Sequence, residues 1–221
     1  MIKYNEGTSN SLDIGFVVLA GGKSFRFGHN KILEIIGNRT LIDHVLIRIR
    51  SFKNPIIIVT AEDYKLPQFS YSNVKIVTDI HDDKGPLGGI YTGLSYSDSF
   101  YNFVTACDMP FLNIDLLAYM LQRSVDFDLT IPRVGKLTEP LHAVYTRNCL
   151  VPIRNLLETN RLQVNSLLDL VTVRYVEIDE INRFDPKHLS FFNVNTQAEL
   201  DSARQYVNQM ATYDRKKGTL V

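Results

Sequence analysis

The stretch Gly15-Phe16-Val17-Val18-Leu19-Ala20-Gly21-Gly22-Lys23-Ser24 decides how this chain is read. A strand-like apolar run stops at two glycines, and Lys23, Arg26, His29 and Lys31 follow within a few residues. It is not a Walker A loop: Gly22-Lys23-Ser24 supplies the end of that motif, but Val17 stands where its first glycine belongs. A G-x-G-x-x-G dinucleotide fingerprint fails as well, because after Gly22 the next glycine is Gly28. Two readings remain. One is an ordinary strand-to-helix turn with solvated basic residues. The other is a third kind of phosphate holder, in which the glycines let backbone N–H groups approach a triphosphate while Lys23, Arg26 and Lys31 surround it with positive charge.

Working outward, further strand-like runs cover Ile56–Thr60, Val74–Thr78, Phe103–Cys107, Leu129–Pro132, His142–Tyr145, Val173–Ile178 and Phe191–Val194. Helical spacing separates many of them. Leu41, Ile42, Val45, Leu46 and Ile49 form one apolar stripe, with Thr40 as N-cap and Asp43 in the first turn. Further helices are expected over Ile114–Val125 behind Asn113, Val151–Glu158 and Gln197–Met210, the last opened by the capping box of Thr196 and Glu199. The alternation predicts an α/β fold: a doubly wound, Rossmann-like, mainly parallel (mixed) sheet with helices on both faces. Residues 1–13 and 213–221 read as loose ends around a single domain over 14–212.

Composition narrows the partners. Lys plus Arg and Asp plus Glu each number 24, so no global field recommends nucleic acid or an anionic membrane, and any anion must be met by a local cluster. Cys107 and Cys149 show no Cys-x-x-Cys spacing and suit a reducing compartment. The first thirteen residues lack a signal-peptide apolar core, and no run approaches the ~18 apolar residues of a membrane span. A cytoplasmic location is expected.

In a doubly wound sheet, ligands gather beyond the carboxyl ends of the strands. Asp108 follows the run ending at Cys107, where it can either bind Mg2+, a hard cation content with one or two carboxylates plus phosphate oxygens, or cap the next turn. Gly85-Pro86-Leu87-Gly88-Gly89 puts proline near a first helical turn and glycines where a flat ring could lie against backbone. His142 alternates with apolar neighbours and reads as a buried structural histidine rather than a catalytic one. If Phe191–Val194 is a strand, Asn193 and Asn195 share a face, where they hold a ligand or hydrated metal, or serve turn chemistry before the capped helix.

Taken together, Leu19-Ala20-Gly21-Gly22-Lys23-Ser24 with Arg26, Gly28 and Lys31 resembles the L-A-G-G-x-S-x-R-M-G-x-x-K signature of nucleotidyltransferases, and in particular of the MobA-like group, the molybdenum cofactor guanylyltransferases. Phe27 replaces the usual Met and Gln197 a frequent Pro. Ala106–Phe111 is similar to the family's A-C-D-M-P-F, Gly85–Gly89 to its base-recognition loop, Glu139–Tyr145 to its P-L-x-A-x-Y segment and Phe191–Thr196 to its F-x-N-x-N-T. The resemblance spans residues 15–200. It implies a nucleotide-diphospho-sugar transferase-like fold, with Leu19, Ala20, Gly21, Gly22, Lys31, Thr60, Asp79, Gly85, Pro86, Leu87, Gly88 and Asp108 around the nucleotide. It further implies Lys23, Arg26, Lys31 and Asp108 in catalysis, Asp108 on Mg2+, and Asn193 and Asn195 at the acceptor.

The implied reaction is transfer of GMP from Mg-GTP to the terminal phosphate of molybdenum-loaded molybdopterin, with pyrophosphate leaving. Partners implied are GTP, molybdopterin, other molybdenum cofactor biosynthesis proteins and recipient molybdoenzymes. The absence of a general-base motif agrees, because a phosphate monoester with a second pKa near ~6 is already mostly dianionic at neutral pH. Two alternatives stay open: a cytidylyltransferase acting on molybdopterin or another phosphate acceptor, and a nucleotide-binding regulatory protein on the same fold.

Overall fold

A computed structural model describes residues 12–21, 31–62, 66 and 72–217, with the side chains of 82 and 210–217 left aside. Its centre is an eight-stranded sheet in the order β10-β7-β9-β6-β1-β4-β5, with β8 added on β7. In chain order these are β1 (Ile14–Leu19), β4 (Ile56–Thr60), β5 (Val74–Thr78), β6 (Tyr101–Ala106), β7 (Leu129–Val134), β8 (Leu137–Thr138), β9 (His142–Thr146) and β10 (Val173–Glu177), while β2 (Ile35–Ile36) and β3 (Arg39–Thr40) form a separate hairpin. Strands β5, β4, β1 and β6 run parallel, β9 is antiparallel to both its neighbours, and β10 returns parallel to β7. The mixed, mainly parallel sheet is the one expected.

Both faces of β1 are buried, and its side chains alternate between two cores. Phe16 and Val18 pack with Ile56, Ile58 and Phe103 beneath α1 (Leu41–Ile49) and α3 (Ile114–Gln122). Val17 and Leu19 pack with Ile57 and Val59 beneath α2 (Gly85–Tyr96) and α4 (Leu150–Glu158). A strand covered by helices on both sides must be apolar throughout, which is why the opening run shows no alternation. A third cluster, Ile36, Leu41, Phe111, Val194, Leu200 and Ala203, seats α6 (Gln197–Lys217) against the β2–β3 corner.

Several element ends differ from expectation, each for a local reason. Helix α3 stops at Gln122, not Val125, with Ser124 Oγ donating to the Met120 carbonyl. Strand β10 ends at Glu177 because Glu177 already N-caps a short helix, α5 (Ile178–Ile181), in a reciprocal box with Glu180. Phe191–Val194 is not a strand: Leu189–Phe191 forms a 3-10 turn whose Leu189 and Ser190 N–H groups donate to the Asp185 carboxylate. Val194 N donates to the Asp108 carbonyl, so this backbone is satisfied without a ladder. Helix α6 continues to Lys217, past the expected end at Met210 and into the segment read as a tail. At the other end Asp13 is anchored, its carbonyl accepting from Tyr101 N and its carboxylate from Phe100 N. Among the described residues no helix is long and apolar enough to cross a membrane.

Helix α2 runs its whole length to Tyr96, although the sequence suggests only its first turn, because four of its residues are glycines that blur the apolar stripe of Leu87, Ile90 and Leu94. Inside the helix, the purpose of Gly88, Gly89 and Gly93 is close approach. An ideal Cβ on Gly93 would stand 2.2 Å from Val17 Cγ1, on a β-branched side chain with little freedom to swing away. Helix propensity alone makes Gly93→Ala stabilising by about 1 kcal/mol, whereas overpacking costs about 1–3 kcal/mol. The expected result is net destabilisation, seen as a lower urea midpoint at unchanged slope. A more stable variant would show that α2 is not seated on β1 in this way.

Candidate active site

Four parallel strands end side by side, and the backbone ties their ends together. Ala20 N donates to the Val59 carbonyl (2.8 Å), Asp79 N to the Thr60 carbonyl (2.7 Å) and Cys107 N to the Leu19 carbonyl (3.0 Å). The parallel register sets Leu19 opposite Ala106, so the glycine loop and Asp108 leave the sheet at the same edge, on neighbouring strands. Gly21 also lies close to the next strand, where a Cβ would come within 3.3 Å of Ala61 N.

Lys31 closes this edge. Its side chain is buried, with 6% of the residue exposed, and Nζ donates to Asp108 Oδ2 (2.8 Å) and to Asn195 Oδ1 (3.0 Å). A buried ammonium is tolerated only when paired and hydrogen-bonded, and here a carboxylate and an amide oxygen together meet that need. The other Asp108 oxygen, Oδ1, is buried and has no hydrogen-bond partner among the described residues. An unsatisfied carboxylate oxygen beside a satisfied one costs free energy unless something polar is brought to it. Lys31, Asp108 and Asn195 thus come together as one unit. Gly22, Lys23 and Arg26 fall outside the described residues.

The residues expected beside the base are arranged differently from each other. Asp79 is half-buried, and its Oδ1 accepts from Thr92 Oγ1 (2.5 Å) and His81 N (2.9 Å), which fixes the turn leading into α2. Thr92 lies thirteen residues further on, inside α2, and carries no sequence signal for this partnership. Thr60 is buried at the end of β4. Of the glycines expected to leave room for a flat ring, Gly88 and Gly89 are occupied by protein: a Cβ on Gly88 would meet the His81 carbonyl at 2.5 Å, and one on Gly89 would meet Leu19 Cδ2 at 3.2 Å. Gly85 is the open one, with φ of 63° and nothing within 4 Å of its Cβ position. Gly85 and Pro86 are exposed at the start of α2, whereas Leu87 is core, so only its backbone can face a ligand.

Asn193 and Asn195 do not act as an alternating strand pair. Asn195 reaches Lys31, while the Asn193 amide nitrogen donates to the Phe191 carbonyl (3.2 Å). His142 is fully buried, its ring stands edge-on to Phe103 and Phe191, and neither ring nitrogen has a partner among the described residues, which fits the structural reading.

Comparison with known proteins gives the family. The MobA-like NTP transferase domain matches residues 16–174. The chain belongs to the MobA-like NTP transferase family. A probable molybdenum cofactor guanylyltransferase from Peptoclostridium acidaminophilum is 34% identical to this transferase over 209 residues, covering 91% of each chain. A molybdenum cofactor guanylyltransferase from Desulfosudis oleivorans is 34% identical over 189 residues, covering 85% of this chain and 92% of the relative. Among solved structures, molybdopterin-guanine dinucleotide biosynthesis protein A from Archaeoglobus fulgidus superposes with a TM-score of 0.76 at 25% identity, over 88% of this chain and 99% of its own. A cytidylyltransferase of methylerythritol phosphate from Thermus thermophilus, 13% identical with a TM-score of 0.65, shares the fold.

Burial lowers the pKa of His142 from the ordinary 6.5 to about 3, so the folded transferase holds it neutral. The unfolded chain binds this proton below about pH 6.5 while the folded one does not, so the contribution is fully present above that pH and is lost as pH falls toward 3. His142→Leu should flatten the acid limb of stability between pH 6 and 4 by up to about 1.4 kcal/mol per pH unit. Chemical denaturation across that range measures it, and an unchanged limb would show that the imidazole is charged in the fold.

Proposed function

We propose that this MobA-like transferase moves the guanylyl group of GTP onto the terminal phosphate of molybdopterin. An oxygen of that phosphate attacks the α-phosphorus, the bond to the bridging oxygen of the β-phosphate breaks, and pyrophosphate leaves. The observation that carries the reading is the contact between Lys31 and Asp108 at the shared edge of β1 and β6, in a chain similar along most of its length to proteins named molybdenum cofactor guanylyltransferases. No proton need be removed from a dianionic nucleophile, so alignment and charge neutralisation are what the site must provide.

Each residue then has a task. Backbone at Gly21 and Gly22, with Lys23, holds the β- and γ-phosphates, and Arg26 and Lys31 meet the negative charge that develops as pyrophosphate leaves. The exposed Gly85–Pro86 start of α2 faces the guanine, with Thr60, Asp79 and the backbone of Leu87 and Gly88 beside it. Asn193 and Asn195 face the acceptor. The donor set fits Mg2+: Asp108 Oδ1 is a buried carboxylate oxygen without a partner among the described residues, and one carboxylate suffices for an ion that fills its shell with water and phosphate oxygens. When bound, the ion supplies further neutralisation of the phosphates.

Asp108→Ala should keep the circular dichroism spectrum of the fold and lose Mg2+-dependent pyrophosphate release by at least about a hundredfold. Full activity in that variant removes Asp108 from the mechanism. A cytidylyl reading is tested separately by equilibrium competition. GTP is expected to displace a bound fluorescent GTP analogue at least about tenfold better than CTP, since an exposed loop that hydrogen-bonds one base leaves groups unpaired with another. Equal displacement would move the assignment to the cytidylyl side.

A further inference from the structure

We infer that Glu199 is a positioning residue for this reaction: it fixes Asn195, and through Asn195 it fixes Lys31 on Asp108. The inference rests on the guanylyl-transfer reading above. Glu199 is the third residue of α6, where a capping box normally uses its carboxylate to receive the N–H of the cap residue alone. Here Oε2 accepts from Thr196 N at 2.8 Å and also from Asn195 N at 2.7 Å, one residue before the cap. The second bond falls on the residue whose side-chain oxygen receives Lys31 Nζ. Among the described residues the segment pairs with no strand, and apart from the Lys31 bond itself its place is set by Val194 N on the Asp108 carbonyl, the buried Val194 side chain, and Glu199. Glu199 is the only one of these that acts on Asn195 itself. The N–H of Asn195 is also the main reason the Glu199 carboxyl titrates below the ordinary range, with the Lys31 charge adding to it.

A helix cap and a positioning residue make different predictions. Thr196 Oγ1 accepts from Glu199 N at 3.2 Å, so Thr196→Ala removes one half of the box, about 1 kcal/mol of helix stability, and leaves Glu199 on Asn195. The test uses the full chain with GTP, Mg2+ and molybdopterin, and reads kcat, the KM for GTP and the urea midpoint. Glu199→Ala is expected to lower kcat about ten- to a hundredfold with the KM for GTP little changed, as small misplacements of reacting groups do. Glu199→Gln, which keeps an accepting oxygen, should restore most of the rate. Thr196→Ala should lose a similar amount of stability at wild-type kcat, and in an Asn195→Ala background Glu199→Ala should cause no further fall. Equal rate losses in Thr196→Ala and Glu199→Ala, or independent effects of Glu199 and Asn195, overturn the inference alone. Failure of the wild type to release pyrophosphate from GTP overturns the functional reading, and the inference with it.

Discussion

The parallel pairing of β1 with β6 is the constraint on which the rest of the molecule depends. It sets Leu19 beside Ala106, and the Cys107 N–H closes on the Leu19 carbonyl just beyond. Two loops far apart in sequence are thereby made to leave the sheet as neighbours. Because a parallel strand exposes neither face, the same pairing demands two helical layers, which the alternating burial of Phe16, Val17, Val18 and Leu19 in two cores satisfies.

What the edge then holds is a charge that water no longer screens well. Lys31 sits almost wholly out of solvent, and its ammonium is kept by one oxygen of Asp108 and the amide oxygen of Asn195. Removing any one leaves the others short of a partner, so the three behave as a unit rather than as separate contributors. Among the described residues Asp108 Oδ1 faces no donor, so half of the carboxylate's accepting capacity is left unused by them.

Glycine is used in two ways that the sequence does not separate. At Gly93 and Gly88 the missing Cβ admits Val17 and the His81 carbonyl, so these glycines seat α2 on the sheet and on the turn before it. Gly85, with its positive φ and an open flank, keeps backbone accessible at the start of the same helix. One short Gly-rich stretch therefore carries both packing and access, and only coordinates assign each role. The sulfhydryls are plain core by contrast: Cys107 and Cys149 are free and buried, and burial pushes both thiols up, Cys149 to about 12.

Sequence alone determined the fold class, the strands that matter and the identity of the residues at their carboxyl ends. The reason is that apolar periodicity, glycine pairs and capping chemistry are local and are written in consecutive residues, as at Thr40 with Asp43 and Asn113 ahead of α3. Tertiary structure decided which of those residues meet. That Lys31 bonds Asp108 and Asn195, that Thr92 holds Asp79, and that Val194 bonds the Asp108 carbonyl in place of a strand neighbour all depend on partners well separated in sequence. Periodicity cannot encode such pairings, because they arise only when register brings separate segments to one edge.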